Sequence, residues 1–164
     1  MEDRRCGNCT LCCKLVGVNE LFKPEGKWCR FCTIGEGCRV YETRPFSCRG
    51  FECEWYMHPG LPEDLRPDNC KVVFFCLADT KICLTIVDSN YPDAWKDSKK
   101  LSPIVRRLTD KGFAFAVFTP GRKERHMILP KGRTPQSVIE EIKAFDTKIA
   151  ADRKKYYDSP GIRN

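Results

Sequence analysis

Nine of the chain's twelve cysteines fall between Cys6 and Cys53, within the first third of the sequence. The density is greatest at the start, in Cys6-Gly-Asn-Cys9-Thr-Leu-Cys12-Cys13. The pair Cys29-Arg-Phe-Cys32 follows, then Cys38, Cys48 and Cys53. A segment so rich in thiols folds around disulfides or around metal, and the redox compartment decides between them. The residues before Cys6 carry no apolar stretch of the kind a secretory signal needs, so a cytoplasmic address is the default expectation. In a reducing compartment, clustered Cys-x-x-Cys spacings read as metal ligands.

The rest of that segment points the same way. Leu11, Leu15, Val16, Val18, Leu21 and Phe22 allow a helical turn or two, after which Pro24-Glu-Gly26 and Gly35-Glu-Gly37 break the chain. A region this short and loop-rich buries too little apolar surface to fold unaided, and ligation is the usual remedy. Structural zinc contributes roughly 10–16 kcal/mol in small peptides, which is ample.

The spacings admit two readings. The separation of Cys6-x2-Cys9 from Cys29-x2-Cys32 falls within the range of a zinc ribbon. Two Cys-x-x-Cys turns would close a tetrahedral four-thiolate site with Zn–S bonds of about 2.3 Å. The overlapping run Cys6-x2-Cys9-x2-Cys12 instead matches three corners of a [4Fe–4S] cluster, completed by a distant cysteine. Adjacent Cys12 and Cys13 do not serve one tetrahedral ion comfortably, so two centres are expected. One division places Cys6, Cys9, Cys29 and Cys32 at the first, and four of Cys12, Cys13, Cys38, Cys48 and Cys53 at the second.

The opening run and the later stretch Cys38-Arg-Val-Tyr41-Glu-Thr-Arg44-Pro45-Phe-Ser-Cys48-Arg49 together resemble the bacterial CxxCxxCC cysteine-cluster family, described as zinc- or iron-chelating. The resemblance covers residues 6–53 and rests on two separated motifs that agree. It implies metal chelation without implying a reaction. Cys29, Cys32 and Cys53 stand less firmly within that signature.

Pro45 forces Arg44 into an extended conformation. Arg44 and Arg49 could then hydrogen-bond cluster thiolates from outside the ligand set and offset their charge. Tyr41, Phe46, Phe51 and Trp55 are expected to wall a small core. Cys76 and Cys83 sit within apolar strands and read as inert buried thiols, whereas Cys70 could belong to either class. His58 and His126 are the only histidines; His126 reads as structural and His58, near the cluster, as a minor candidate ligand. No Ser-His-Asp or Cys-His arrangement, carboxylate pair or phosphate loop occurs. No catalytic residue is identified, and redox chemistry stays open.

Residues 58–69 hold three prolines and a glycine and read as an extended connector between a cysteine lobe, residues 1–57, and a second lobe, residues 70–164. In the second lobe, Val72–Leu77 and Lys81–Val87 suggest a hairpin. Pro92–Lys96 could begin a short helix. Ser102-Pro103 would cap and open a helix through Leu108. Phe113–Thr119 and Arg125–Leu129 form a second strand pair. Thr134-Pro135 opens a long helix with Val138, Ile139, Ile142, Phe145 and Ile149 on its apolar stripe, ending in the basic, solvated Arg153-Lys-Lys155. The order ββαββα predicts an α+β fold, an antiparallel sheet with helices on one face.

The net charge is +7. Residues 1–70 carry ten Lys and Arg against eleven Asp and Glu, and residues 71–164 nineteen against eleven. An acidic metal lobe could therefore dock on a basic one. The longest apolar runs, Val72–Leu77 and Phe113–Phe118, fall far short of the roughly 18–20 residues that span a bilayer, so no membrane partner is expected. The sequence thus predicts a metal-chelating protein holding zinc or an iron–sulfur centre, of open biological role and with no protein partner indicated. An iron–sulfur redox protein is the alternative. Binding of nucleic acid or an acidic partner by the basic lobe has no motif behind it.

Overall fold

The computed structural model describes residues 6–96 and 101–159. Runs of β-branched and aromatic residues form β3 (Val72–Cys76), β4 (Ile82–Val87), β5 (Ala114–Phe118) and β6 (Arg125–Ile128). They make one sheet in the order β3-β4-β5-β6. A tight link, with Asp79 at φ 61, closes the β3–β4 hairpin and sets Val72 opposite Val87 and Cys76 opposite Cys83. The long link from Asp88 to Phe113 contains a helix, α5 (Leu101–Asp110). A helix-bearing connection of that kind can cross over the sheet, and β5 runs parallel to β4, with Ile82 beside Ala114 and Ile86 beside Phe118. A Pro120-Gly121 turn then brings β6 back antiparallel. The fold is α+β, as the sequence predicts, but the sheet is mixed rather than wholly antiparallel. A separate antiparallel ribbon joins β1 (Cys32–Thr33) to β2 (Gly37–Cys38).

Alternation along the strands gives the sheet two apolar faces. On one, Ile82 and Ala114 pack with Val138 of the long helix α6 (Pro135–Asp158), joined by Leu84, Ile142 and Phe145. The same face carries Val73 and Ile86, which pack on Leu11 and Leu15 of α1 (Leu11–Leu15). The other face carries Phe74, which packs with Trp55, Leu65 and Leu101. Helix α5 therefore lies opposite α6, and helices cover both faces instead of one. The parallel crossover is the reason, since it must pass over one face while α6 fills the other. Thr134 caps α6: its Oγ1 accepts the Ser137 N–H at 3.2 Å and Pro135 follows. Ser102 lies inside α5 rather than ahead of it, and Tyr91–Lys96 forms turns, not a helix.

The cysteine segment shares this core. Besides Leu11 and Leu15, it contributes the buried pair Lys14 Nζ–Asp88 Oδ1 at 2.6 Å, with side chains 9% and 5% exposed. Gly26, at φ 74, brings its backbone against Pro120, where a Cβ would stand 2.6 Å from the proline Cβ. The expected connector is folded rather than extended. A 3-10 turn (Glu63–Leu65) and α4 (Pro67–Cys70) bury Leu65 completely. Ahead of them α3 (Glu54–Met57) covers the edge strand β3, and the Glu54 carboxylate accepts the Cys76 N–H at 2.8 Å, which blunts that edge.

Cys76 and Cys83 are not free thiols. Directly opposite on β3 and β4, with Cα atoms 3.9 Å apart, they form a disulfide. Cys70 is a half-buried thiol that donates to the Leu65 carbonyl at 3.4 Å and the Val72 carbonyl at 3.3 Å, and burial pushes its pKa up to about 11.

Candidate metal centre

Each cysteine motif folds into a turn that presents its sulfurs. The Cys9 N–H donates to the Cys6 carbonyl at 2.9 Å and the Cys32 N–H to the Cys29 carbonyl at 3.0 Å. Gly7, at φ 53, supplies the left-handed residue of the first turn. Cys12 and Cys13 lie in the first turn of α1, where successive side chains diverge by about 100°. The Cys29 N–H donates to the Cys13 carbonyl at 3.0 Å, which seats the second Cys-x-x-Cys turn beside α1. In the β1–β2 ribbon Cys32 stands opposite Cys38.

Cys48 is carried by α2 (Phe46–Arg49), a single turn held from outside. The Glu20 carboxylate accepts the Ser47 N–H at 3.1 Å and its hydroxyl at 2.8 Å. The Tyr157 hydroxyl, from the far end of α6, accepts the Phe46 N–H at 3.2 Å, and Tyr156 packs on the Phe46 ring at 5.1 Å. Two free donors of the first helical turn are thereby satisfied. Just past the basic Arg153-Lys-Lys155, of which both lysines are exposed, the last turn of α6 braces a cysteine-bearing element.

Eight of the nine predicted ligands line one cavity of about 570 Å³: Cys6, Cys9, Cys12, Cys13, Cys29, Cys38, Cys48 and Cys53. Cys32 does not line it. Neither histidine does. His58 pairs with Glu54 at 2.9 Å, and the His126 ring packs on Trp95 at 5.1 Å. Among the described residues, no group of three or more Cys, His, Asp or Glu converges closely enough to hold an ion. The thiols face a shared space, and ligation would draw them inward. The donor set fits: thiolates are the ligands that select zinc and iron–sulfur clusters.

Lys23, Arg44 and Arg49 line this cavity, and Arg66 stands beside the Cys6–Cys9 turn. Lys23 is 8% exposed, and its ammonium donates to the carbonyls of Lys14 at 3.0 Å and Pro24 at 3.1 Å and to that of Val16. Burial lowers its pKa, and the neighbouring Cys29 and Cys13 oppose that shift. Arg66, from the folded connector, pairs with Asp68 at 2.9 Å and reaches Asn8 Oδ1 within the Cys6–Cys9 turn, which sets its charge beside Cys9. Arg44 lines the cavity, and its charge acts on Cys6 and Cys13.

Arg44 and Arg49 direct their hydrogen bonds to loop carbonyls. Arg44 Nε donates to Tyr41 at 2.8 Å, with its guanidinium 3.6 Å from the Tyr41 ring centre. Arg49 donates to Arg44 at 2.7 Å and Glu42 at 3.0 Å. The two arginines knit the 41–49 loop together. Tyr41, under Arg44, is 45% exposed rather than part of a core wall, whereas Phe51 packs edge-on against Phe75 and Trp55 is buried.

The thiols titrate unequally. Hydrogen bonding from the Cys12 thiol, with help from Cys32, Lys23 and Arg44, lowers Cys13 to about 6 against the opposing effect of burial. The same contact pushes Cys12 well up, together with its burial. Burial, then the Cys13 charge, raises Cys32 to about 12. Burial raises Cys48 and Cys53 to about 11, and Cys6 and Cys9 also rise by burial.

The chain matches no family model, and no curated protein or solved structure matches it. Lys23, Arg66, Glu20 and Tyr157 are the site residues that spacing rules do not reveal. Their roles come from backbone carbonyls and tertiary contacts, which no local pattern encodes.

Proposed function

We propose that this chain is a metal-chelating protein whose clustered cysteines hold zinc or an iron–sulfur centre, in keeping with its resemblance to the CxxCxxCC family. The observation that carries this reading is that eight cysteines from five separate stretches line one cavity, with the buried Lys23 ammonium beside them. A core that needed only packing would gain nothing from so many thiols aimed at a common space. When bound, the metal would supply a cross-link between turns that have little apolar core of their own. The residues of the chain hold their sulfurs in place, offset thiolate charge through Lys23 and Arg66, and brace the Cys48 turn through Glu20 and Tyr157.

Metal analysis with acid-labile sulfide assay, on anaerobically purified protein, tests the reading. Stoichiometric zinc without sulfide, or iron with sulfide, is the expected result. Protein that carries neither metal and takes up none on addition of zinc would overturn it. The iron–sulfur redox reading gains from one feature. Cys53 lies within electrostatic reach of Cys6 and Cys9, beside the three-cysteine run that seats such clusters. It predicts visible sulfur-to-iron absorption that dithionite bleaches.

A further inference from the structure

We propose that the last turns of α6 form a metal-responsive arm, docked on α2 while the cysteine turns are ligated and released when they are not. This rests on the metal-chelating reading above and goes beyond it by giving the site a conformational output.

The two ends of α6 are supported differently. The first half is fixed by the sheet: Val138 is fully buried, and Ile142 and Phe145 pack beside it against Ile82 and Ala114. Lys148 reaches Asp79 at 3.1 Å in an exposed pair. From there the helix runs on to Asp158, about 15 Å further at 1.5 Å per residue. No residue of that stretch is buried. Among the described residues, the hydrogen bonds, ion pairs and ring contacts it makes outside the helix all go to Phe46 of α2. The Tyr157 hydroxyl accepts the Phe46 N–H at 3.2 Å, and the Tyr156 ring lies 5.1 Å from the Phe46 ring. Tyr157 stands edge-on to Tyr156, also at 5.1 Å.

The partner in this contact has little order of its own. Helix α2 is a single turn, far below the roughly 12–15 residues at which an isolated helix begins to hold in water. It lies in the stretch 29–50, where no residue is buried. Glu20 holds Ser47, and the turn presents Cys48 to the cavity. Ligation of Cys48 would tie α2 to the other cysteine turns. The contact therefore joins a helix rooted in the sheet to a turn whose order comes from the site. Local stability follows local burial, so without ligation the α2 side gives way first. Once Phe46 moves, Tyr156 loses its ring partner and Tyr157 its donor. The terminal turns then keep only contacts within the helix, such as Lys155 to Asp152 and Ser159 to the Lys155 carbonyl, and they fray. The released arm uncovers the rings of Phe46 and Tyr156 and opens the backbone around Arg153-Lys-Lys155.

The test compares the reduced full chain loaded with zinc and stripped of it. Two readouts are followed: trypsin cleavage after Arg153 and Lys154, and the nuclear Overhauser contact between the Phe46 and Tyr156 rings. The stripped chain should be cut about tenfold faster, as a turn without tertiary support is, and should lose the ring contact. Tyr156→Ala should keep the zinc content of wild type yet be cut at the stripped rate even when loaded. Equal cleavage of loaded and stripped wild type, or a ring contact that persists in both, would overturn the arm while chelation stands. Loaded Tyr156→Ala cut as slowly as loaded wild type would overturn it too. The ring contact is read on wild type, so the test holds even if the variant does not fold. A wild type that takes up no zinc would strike at the chelating function itself, and the arm would fall with it.

Discussion

Lys23 sits in an irregular loop where nothing in the sequence distinguishes it from a surface lysine. Yet its ammonium is buried and hydrogen-bonded to three carbonyls, those of Lys14, Val16 and Pro24. Hydrogen bonds from a charged donor are stronger than neutral ones, and a buried carbonyl left without its partner costs about 1–3 kcal/mol. Lys23→Met keeps much of the side-chain volume but strands these acceptors and removes the positive charge facing Cys13 and Cys29. We expect a loss of about 2–4 kcal/mol, allowing for partial rehydration, read as a lower midpoint in urea unfolding. Unchanged unfolding would mean that water serves those carbonyls equally well. Lys14 and Arg66 are illegible in the sequence for the same reason as Lys23. The disulfide is a different case, because its signal is present there. A hairpin closing through Ala78-Asp79-Thr80 pairs Leu77 with Ile82 and hence Cys76 with Cys83. Apolar character alone, without the register written out, hides that opposition.

At the scale of elements, the contact between the cysteine segment and the sheet turns on Gly26. Its φ of 74 is costly for any residue with a Cβ, and that Cβ would meet the Pro120 Cβ at 2.6 Å. Gly121, in the turn that follows, has a similar φ of 82 but open space around it. The two positions separate backbone cost from packing cost. Gly121→Ala should cost only the left-handed penalty, about 1–2 kcal/mol. Gly26→Ala should cost that and a further ~1–3 kcal/mol for displacing Pro120. Thermal unfolding of the two variants side by side checks this, and equal losses would show that the Pro120 turn yields freely. The mixed sheet belongs at this scale too. The strands, both main helices and the Thr134-Pro135 start are legible from periodicity and capping. Strand direction is not, because periodicity carries no sign of which way a strand runs. The clue lies instead in the long helix-bearing link between Val87 and Ala114, which is what a parallel crossover needs. The placement of α5 and α6 on opposite faces follows from that one connection.

For the whole molecule, the question is how far the cysteine segment depends on metal. Its poor periodicity suggests that all of it would lose order without ligation, but the packing divides it. Leu11 and Leu15 are buried on Val73 and Ile86, Lys14 is paired with Asp88, and Trp55 packs with Phe74 and Leu101. These anchors belong to the sheet's core and do not need a metal. The stretch 29–50 has no buried residue, and only short turns, the β1–β2 ribbon and α2 organise it. Stability within one protein varies with such local burial. Chelation under reducing conditions, followed by amide hydrogen exchange, should therefore strip protection from residues 29–50. Leu15 to Val18, the Trp55 turn and β3 to β5 should keep theirs. The brace on α2 from Tyr157 should be the last part of 29–50 to loosen, and Tyr157→Phe should abolish that lag by removing the acceptor of the Phe46 N–H. Loss of protection across all of residues 6–57 would make the cysteine segment an independent metal-folded unit, and the core it shares with the sheet would then have no energetic weight.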